Sequence, residues 1–332
     1  MTWLVTGGAG YIGAHVARCL LESGRDIVVL DDLSSGRREF VPAQARFVQG
    51  SVIDPHAVQA ALTAADGEVV TGVVHLAGYK YAGVSVDRPL HTYQQNVTGT
   101  QVLLAGMLDQ EVRRLVFSSS AGVYGTPDVP TVTEDTDPRP ESPYGETKLI
   151  GEWLIRDVGR VTPLRHTSLR YFNVVGSGYR EIFDTSPHNL FPLVLKDLTS
   201  GRTPHVRGVD YATEDGSCVR DYVHVKDIAL AHVAAAQALE AGRPIAPVYN
   251  LGSGEGLSVL AIMAAVARVT GIAFSPQIRE RRPGDPARIV ASGRLAARDL
   301  GWEMRHDIDD MVRSAWEAWR HSQPEGPGSG AG

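Results

Sequence analysis

The sequence predicts an α/β fold, a Rossmann-type doubly wound parallel sheet with a smaller, interleaved C-terminal α/β lobe. Three observations predict it. Short β-branched runs alternate with helix-periodic segments through the first half of the chain, the pattern of stacked βαβ units. A glycine-rich stretch, Thr6-Gly-Gly-Ala-Gly-Tyr-Ile-Gly13, joins the first such run to the first helical segment. Beyond Tyr171 the alternation loosens and long Gly- and Pro-bearing connections appear, of the kind that serve as binding loops in compact proteins.

Taken in order, Trp3–Val5, Ile27–Leu30, Arg46–Val48, Val73–His75, Leu115–Ser118 and Thr167–Arg170 read as strands, and Tyr11–Ser23, Pro55–Ala64, Leu90–Gln110 and Pro143–Val158 as helices. Further on, Val225–Leu239, Val259–Thr270 and Ile308–Trp319 carry helical periodicity, while Gly176–Pro187, Gly201–Ser217 and Arg281–Pro286 read as loops. The expected division is a dinucleotide-binding part over 1–172 with later segments returning to it, a mainly substrate-binding lobe over 173–322, and a disordered Pro/Gly/Ser tail over 323–332.

With 332 residues, 43% hydrophobic and 21% charged, the chain can bury a large core. The formal net charge of -6 and the lack of a basic tract exclude an extended nucleic-acid surface. Two cysteines, Cys19 and Cys218, make neither a disulfide framework nor a metal site and are expected to be packing residues. No apolar run approaches membrane-spanning length, and the first residues enter a strand at once, so cytoplasmic residence is expected.

Glycines at 7, 10 and 13 permit a tight turn and let backbone N–H groups approach a pyrophosphate at the positive end of the first helix. Asp31 and Asp32 end the second strand, where a carboxylate accepts bonds from a ribose 2′-hydroxyl and repels a 2′-phosphate, favouring NAD; Arg37 and Arg38 nearby argue the other way. Ala77 and Gly78 in His75-Leu-Ala-Gly-Tyr-Lys80 let backbone pass close to a cofactor. Phe117-Ser-Ser-Ser120 follows the fifth strand and points into the crevice of an open sheet. Tyr144 and Lys148, four apart, lie on one face of a helix. An ammonium beside a phenol favours the phenolate, which makes a proton-transfer base. Ser120, Tyr144 and Lys148 then form a set in which the serine orients a substrate hydroxyl. No histidine spacing matches a zinc site.

The glycine-rich start, Ser118-Ser-Ser-Ala-Gly-Val-Tyr-Gly125 and Tyr144-x-x-x-Lys148 together resemble the extended short-chain dehydrogenases. Asp31-Asp-Leu-Ser-Ser-Gly36, Lys80-Tyr-Ala-Gly-Val-Ser-Val86, Asn96-Val-Thr-Gly-Thr100, Leu169-Arg-Tyr-Phe-Asn173, Asp210-Tyr-Ala-Thr-Glu-Asp-Gly216, Val219-Arg-Asp-Tyr-Val-His-Val225 and Tyr249-Asn-Leu-Gly-Ser-Gly254 narrow the resemblance to the UDP-glucose 4-epimerase family, from about Thr2 to Trp319. The resemblance implies retained NAD, a transient 4-keto sugar and return of the hydride to its other face. It implies Ser120, Tyr144 and Lys148 as catalytic residues. It implies NAD contacts from Gly7, Gly10, Tyr11, Ile12, Gly13, Asp31, Asp32, Ser34, Ser51, Val52, Leu76, Ala77, Gly78, Lys80, Asn96, Ser118, Tyr144, Lys148 and Tyr171. For the UDP-sugar it implies Lys80, Ser120, Tyr144, Asn173, Asn189, Leu190, Arg207, Arg220, Arg282 and Asp285. A homodimer built through the helices Leu90–Gln110 and Pro143–Val158 is expected on the same ground.

Three positions depart from the family pattern. Gln49-Gly-Ser51-Val52 lacks the usual acid for adenine, Arg207 stands where an aromatic often stacks on uracil, and Ile289 is of intermediate bulk where N-acetyl sugars are gated. Ala121-Gly122 separates this chain from related chemistries. A 4,6-dehydratase carries an Asp–Glu pair there and a decarboxylase a glutamate at the second position; this chain has neither. A 4-epimerase of UDP-N-acetylhexosamine or UDP-xylose/arabinose stays open. A non-catalytic NAD(H) sensor would be expected to lose the Tyr–Lys pair.

Overall fold

A computed structural model describes residues 1–64, 67–281 and 285–323. The first half runs β1 (Thr2–Thr6), α1 (Tyr11–Glu22), β2 (Asp26–Asp31), β3 (Arg46–Gln49), α2 (Pro55–Ala61), β4 (Gly72–His75), α3 (Ala82–Asp87), α4 (Pro89–Tyr93), α5 (Gly99–Asp109), β5 (Arg114–Ser118), α6 (Pro143–Val161) and β6 (Arg165–Tyr171). There follow β7 (Asn173–Val175), α7 (Leu190–Thr199), β8 (His205–Arg207), β9 (Val219–Arg220), β10 (Tyr222–His224), α8 (Val225–Glu240), β11 (Val248–Leu251), β12 (Leu257–Ser258), α9 (Val259–Thr270), β13 (Gln277–Arg279), β14 (Arg288–Ile289), α10 (Arg294–Leu300) and α11 (Ile308–Ser322).

Seven strands form one parallel sheet in the order β3-β2-β1-β4-β5-β6-β11. The chain order reverses between β1 and β4, which opens a crevice at the strands' carboxyl ends. Both faces of the sheet are apolar, and the two-residue period sorts them. Trp3, Val5, Ile27, Val29, Val74 and Val116 join one core with α1 and α8. Leu4, Val28, Leu30, Val73, Leu115 and Phe117 join the other with α2, α5 and α6. A third core gathers Phe191, Val194, Ile262, Met263, Val266, Met311 and Val312 from α7, α9 and α11.

Local chemistry sets the helix ends. The Ser142 hydroxyl accepts from Gly145 N at 3.2 Å and Pro143 follows at the first helical position, so α6 starts where the site needs it. α9 stops at Gly271, in the left-handed conformation (φ 72°).

The helix expected over Leu90–Gln110 is broken: α4 ends at Tyr93, a π-turn occupies Gln94–Thr98, and α5 resumes at Gly99. The widened turn turns Asn96 out of the helix toward the loop after β4. The helix expected over Pro55–Ala64 stops at Ala61 because Thr63 leaves it for a bridge with Val69. Helices α3, α7 and α10 and strand β11 carry no expectation from periodicity. In α7 the breaker Pro192 sits in the first turn, where its missing N–H is not needed. The tail at 324–332 and the loop residues 282–284 lie outside the described residues, as does the expectation that the tail is disordered.

Candidate active site

The glycine turn is closed by backbone alone. Gly7 N donates to Leu30 O at 2.8 Å and Gly10 N to Gly7 O at 3.1 Å. Gly7 has φ 72°, and a Cβ there would lie 2.8 Å from Ala77 N; a Cβ on Gly13 would lie 2.1 Å from Gly7 O. Helix α1 begins at Gly10 with no side chain capping its first-turn N–H groups. That cradle fits a dinucleotide's pyrophosphate. The first-turn side chains face elsewhere: the Tyr11 hydroxyl donates to Gly176 O at 2.5 Å, and Ile12 packs on the core.

Asp31 serves this turn first. Its Oδ2 accepts from Ala9 N at 2.9 Å and its Oδ1 from Leu33 N at 2.8 Å, and burial raises its pKa against those bonds. Asp32 is exposed and accepts from Ser34 N at 2.9 Å. The two arginines that argue for a 2′-phosphate are engaged elsewhere. Arg37 pairs with Glu39 at 3.1 Å and lies 4.9 Å from the Phe183 ring centroid, and Arg38 lies 4.6 Å from that of Phe47. Val52 is buried against Gly99, and Ser51 caps the turn before α2 through its carbonyl to Asp54 N at 3.0 Å.

A polarised chain ties β1, β4 and α5 together behind the crevice. Thr100 Oγ1 donates to Asn96 O at 2.6 Å, so it accepts from His75 Nε2 at 3.1 Å. His75 Nδ1 then accepts from Thr6 Oγ1 at 2.7 Å, and Thr6 Oγ1 accepts from Ala77 N at 3.2 Å. Burial lowers the His75 pKa to about 3, so the imidazole stays neutral, as this polarity requires. Leu76 N continues the strand pairing to Thr6 O at 3.1 Å. Asn96 clamps the next turn: its Oδ1 accepts from Tyr79 N at 2.6 Å, and its Nδ2 donates to Tyr79 O and Thr147 Oγ1 at 3.0 and 2.8 Å. Any side chain at Gly78 would meet Asn96 Oδ1 at 2.7 Å. Lys80 is exposed, with Nζ 5.5 Å from the Tyr81 ring centroid.

Ser118 and Ser120 at the end of β5 meet Tyr144 and Lys148 of α6. Lys148 is buried, and its ammonium donates to Ser118 O at 2.8 Å, 5.9 Å from the Tyr144 ring centroid. Burial lowers the Lys148 pKa to about 8, against the raising effect of Glu152. Burial raises the Tyr144 phenol, and the Ser120 hydroxyl bonded to it lowers it. The lysine thus reaches the strand carbonyl, and the Ser120 hydroxyl is the group that lowers the phenol. Tyr171 stands next to Tyr144 but is held neutral by burial, its pKa pushed well up. His232 Nδ1 faces Ile228 O at 2.8 Å, so Nε2 accepts from Ser118 Oγ at 3.2 Å and Ser118 accepts from Tyr171 OH at 2.8 Å. Tyr144 is therefore the phenol free to exchange a proton. Gly122 lies across from it; a Cβ there would be 3.4 Å from Ser120 Oγ and 3.6 Å from the Tyr144 ring. An acid at 122 would enter the site, and none is present.

The C-terminal candidates are brought together in part. Arg220 Nη2 binds Asp285 Oδ1 at 2.5 Å, joining two of the residues expected at the UDP-sugar. Asn173 Nδ2 donates to Asp221 O at 3.1 Å. Asn189 stands at the position before α7, where Leu190 is the first residue, and its side chain donates to Asp184 at 2.7 Å rather than capping the helix. Arg207 is exposed at the end of β8. Ile289 pairs with Arg220 across β14 and β9. Arg282 lies outside the described residues. Sequence reasoning missed Glu152, Arg170 and Tyr124, a buried polar cluster behind the serines whose signal is a carboxylate four residues after Lys148.

A glycine-lined dinucleotide cradle beside a Ser–Tyr–Lys set defines a nicotinamide-dependent protein acting on hydroxyl carbons. Residues 3–252 match the NAD dependent epimerase/dehydratase family, and the chain belongs to it. It is 42% identical over 320 residues to the UDP-glucose 4-epimerase of Corynebacterium glutamicum, with 95% of each chain covered. A crystal structure of a UDP-glucose 4-epimerase superposes with a TM-score of 0.92 at 37% identity, covering 98% of this chain and 99% of that one. The UDP-glucose 4-epimerase of Bifidobacterium longum, solved in complex with NAD+ and UDP, superposes with a TM-score of 0.88 at 35% identity, covering 97% and 99%. The cofactor of this chain is NAD.

Proposed function

We propose that the chain interconverts UDP-galactose and UDP-glucose by inverting C4 of the hexose with retained NAD. The observation that carries this is the Ser120–Tyr144–Lys148 set facing a bare Gly122: one proton-transfer group, one cradle for a hydride carrier, and no second acid for elimination or decarboxylation. Bound NAD supplies hydride acceptance from C4 and its return. Tyr144 removes the 4-hydroxyl proton and returns it to the same oxygen once C4 is inverted. Ser120 orients the phenol and the sugar hydroxyl, and Lys148 fixes the positive potential at the site.

In this reading residues 1–172 hold NAD, through the α1 N-terminus and Gly7–Gly13 at the pyrophosphate, Asp31 and Asp32 at the ribose, and the Leu76–Lys80 turn at the nicotinamide side. Residues 173–322 hold UDP, with Arg220 as the diphosphate cation. Its present partner Asp285 is then free for the uridine ribose. The chain works as a homodimer. In support, Leu90 is 86% exposed, and Val86, Trp153 and Val161 are apolar and exposed on the neighbouring helices α3 and α6.

Incubation of the pure protein with UDP-galactose, UDP-N-acetylgalactosamine and UDP-xylose separately, with no NAD added, tests the reading. Conversion of UDP-galactose to UDP-glucose is expected. Conversion of the N-acetyl sugar or the pentose alone would reassign the substrate, and failure to convert any of them after loading with NAD would refute the 4-epimerase.

A further inference from the structure

Behind the serine turn lies a buried ion pair that the proposed chemistry does not use. Glu152 stands one turn beyond Lys148 on α6, and Arg170 stands on β6; they are 6% and 4% exposed. The pairing is bidentate, Arg170 Nε to Oε1 at 2.8 Å and Nη2 to Oε2 at 2.5 Å. Each partner then grips the same turn. Ser119 Oγ donates to Glu152 Oε1 at 2.5 Å, and Arg170 Nη1 donates to Tyr124 OH at 2.8 Å. The Tyr124 hydroxyl donates to Asn250 Oδ1 at 2.8 Å, which ties the turn to β11. Ser119 and Tyr124 are each 1% exposed. Ser120 lies between these two anchors, and Gly122 between them packs against the Tyr144 ring.

We propose that the Glu152–Arg170 pair is a positioning device for the reaction, which holds the turn on both sides of Ser120 and so sets the Ser120 hydroxyl against the Tyr144 phenol. Neither residue touches substrate. A buried ion pair adds little stability over an apolar one of the same shape, whereas a bidentate pair with both remaining valences committed to one turn fixes geometry. The proposal rests on the reading of Tyr144 as the base. The groups around that phenol are Ser120, Lys148 and Tyr171.

Ser119→Ala and Tyr124→Phe each remove one anchor and leave the ion pair intact. The Tyr144 titration is followed by phenolate absorbance, as the difference between each protein and its Tyr144→Phe counterpart, and turnover is measured beside it. A loosened Ser120 lowers the phenol's pKa less, so each variant is expected to move the midpoint up by about half a pH unit or more. It is also expected to cut kcat about tenfold with KM within about twofold. Ser119→Thr, which keeps the hydroxyl, is expected to restore both. Unchanged midpoint and kcat in both anchor variants, whatever their Tm, would overturn the proposal. A parent protein that converts no UDP-sugar while its midpoint shifts as stated would refute the proposed function and leave the positioning role standing.

Discussion

Tyr144 works against its own burial. Desolvation holds its phenol above the ordinary value, and the one bond that lowers it comes from Ser120. The Lys148 ammonium lies 5.9 Å from the Tyr144 ring centroid and is committed to Ser118 O. Removing that charge as Lys148→Met is expected to lower kcat by about 10² or more, with UDP binding by calorimetry close to the parent's; a kcat within a few fold would remove the lysine from the account. Tyr171→Phe, which deletes only the neutral donor to Ser118, is expected to cost far less turnover than Lys148→Met in the same assay. The residue types were legible because their spacing on a helix and after a strand carries chemistry. The lysine's true acceptor was not, because it depends on how α6 packs across β5. Nor was Asp31's commitment to Ala9 and Leu33, which arises from the folded turn.

Among the elements, the π-turn between α4 and α5 is the one with a functional consequence. It presents Asn96 to Tyr79 on one side and to Thr147, the neighbour of Lys148, on the other. Thr147 Oγ1 in turn donates to Tyr144 O at 2.8 Å. Asn96→Ala leaves the Tyr79 backbone groups without these partners and is expected to destabilise the fold by about 1–3 kcal/mol in denaturant melts. It is also expected to weaken NAD retention, read as the cofactor fraction surviving gel filtration. Full retention with an unchanged midpoint would show the clamp to be dispensable. Periodicity located this segment as helical and missed the break, a single π-turn between two helical runs. Helix α3, rich in Gly, Ser and Val, was hidden by poor propensity; it is held by packing on α6.

At the scale of the whole molecule, four buried histidines among the described residues are expected to set the acid limit. Burial lowers His15 and His232 to about 4 and His75 and His224 to about 3. Their folded pKa values lie below the unfolded value, so the unfolded chain binds more protons below about pH 6.5. Stability is full above that pH and falls from there toward pH 4, at roughly 1.4 kcal/mol per pH unit for each histidine. Calorimetry between pH 7 and 5 is expected to show Tm falling steeply, and a flat Tm would contradict the neutral-histidine assignment. The alternating strands and helices of the first half were readable because both sheet faces are apolar and each βαβ unit is local. Strand β11 was not: it pairs with β6 across all the chain from β7 to α8, a contact no local window contains. The exposed apolar side chains on α3, α4 and α6 predict a dimer by light scattering at micromolar concentration, and Leu90→Asp is expected to shift it toward monomer; a parent protein that is monomeric there would contradict the dimer.

The proposed function stands on Tyr144 exchanging the C4 hydroxyl proton of a UDP-hexose held beside NAD. Turnover of UDP-galactose by the parent and by Tyr144→Phe, both loaded with NAD and both shown to bind UDP, tests it most directly. UDP-glucose is expected from the parent, with a loss of about 10² to 10⁴ in kcat for the variant at comparable UDP affinity. Equal turnover by the two proteins would contradict it.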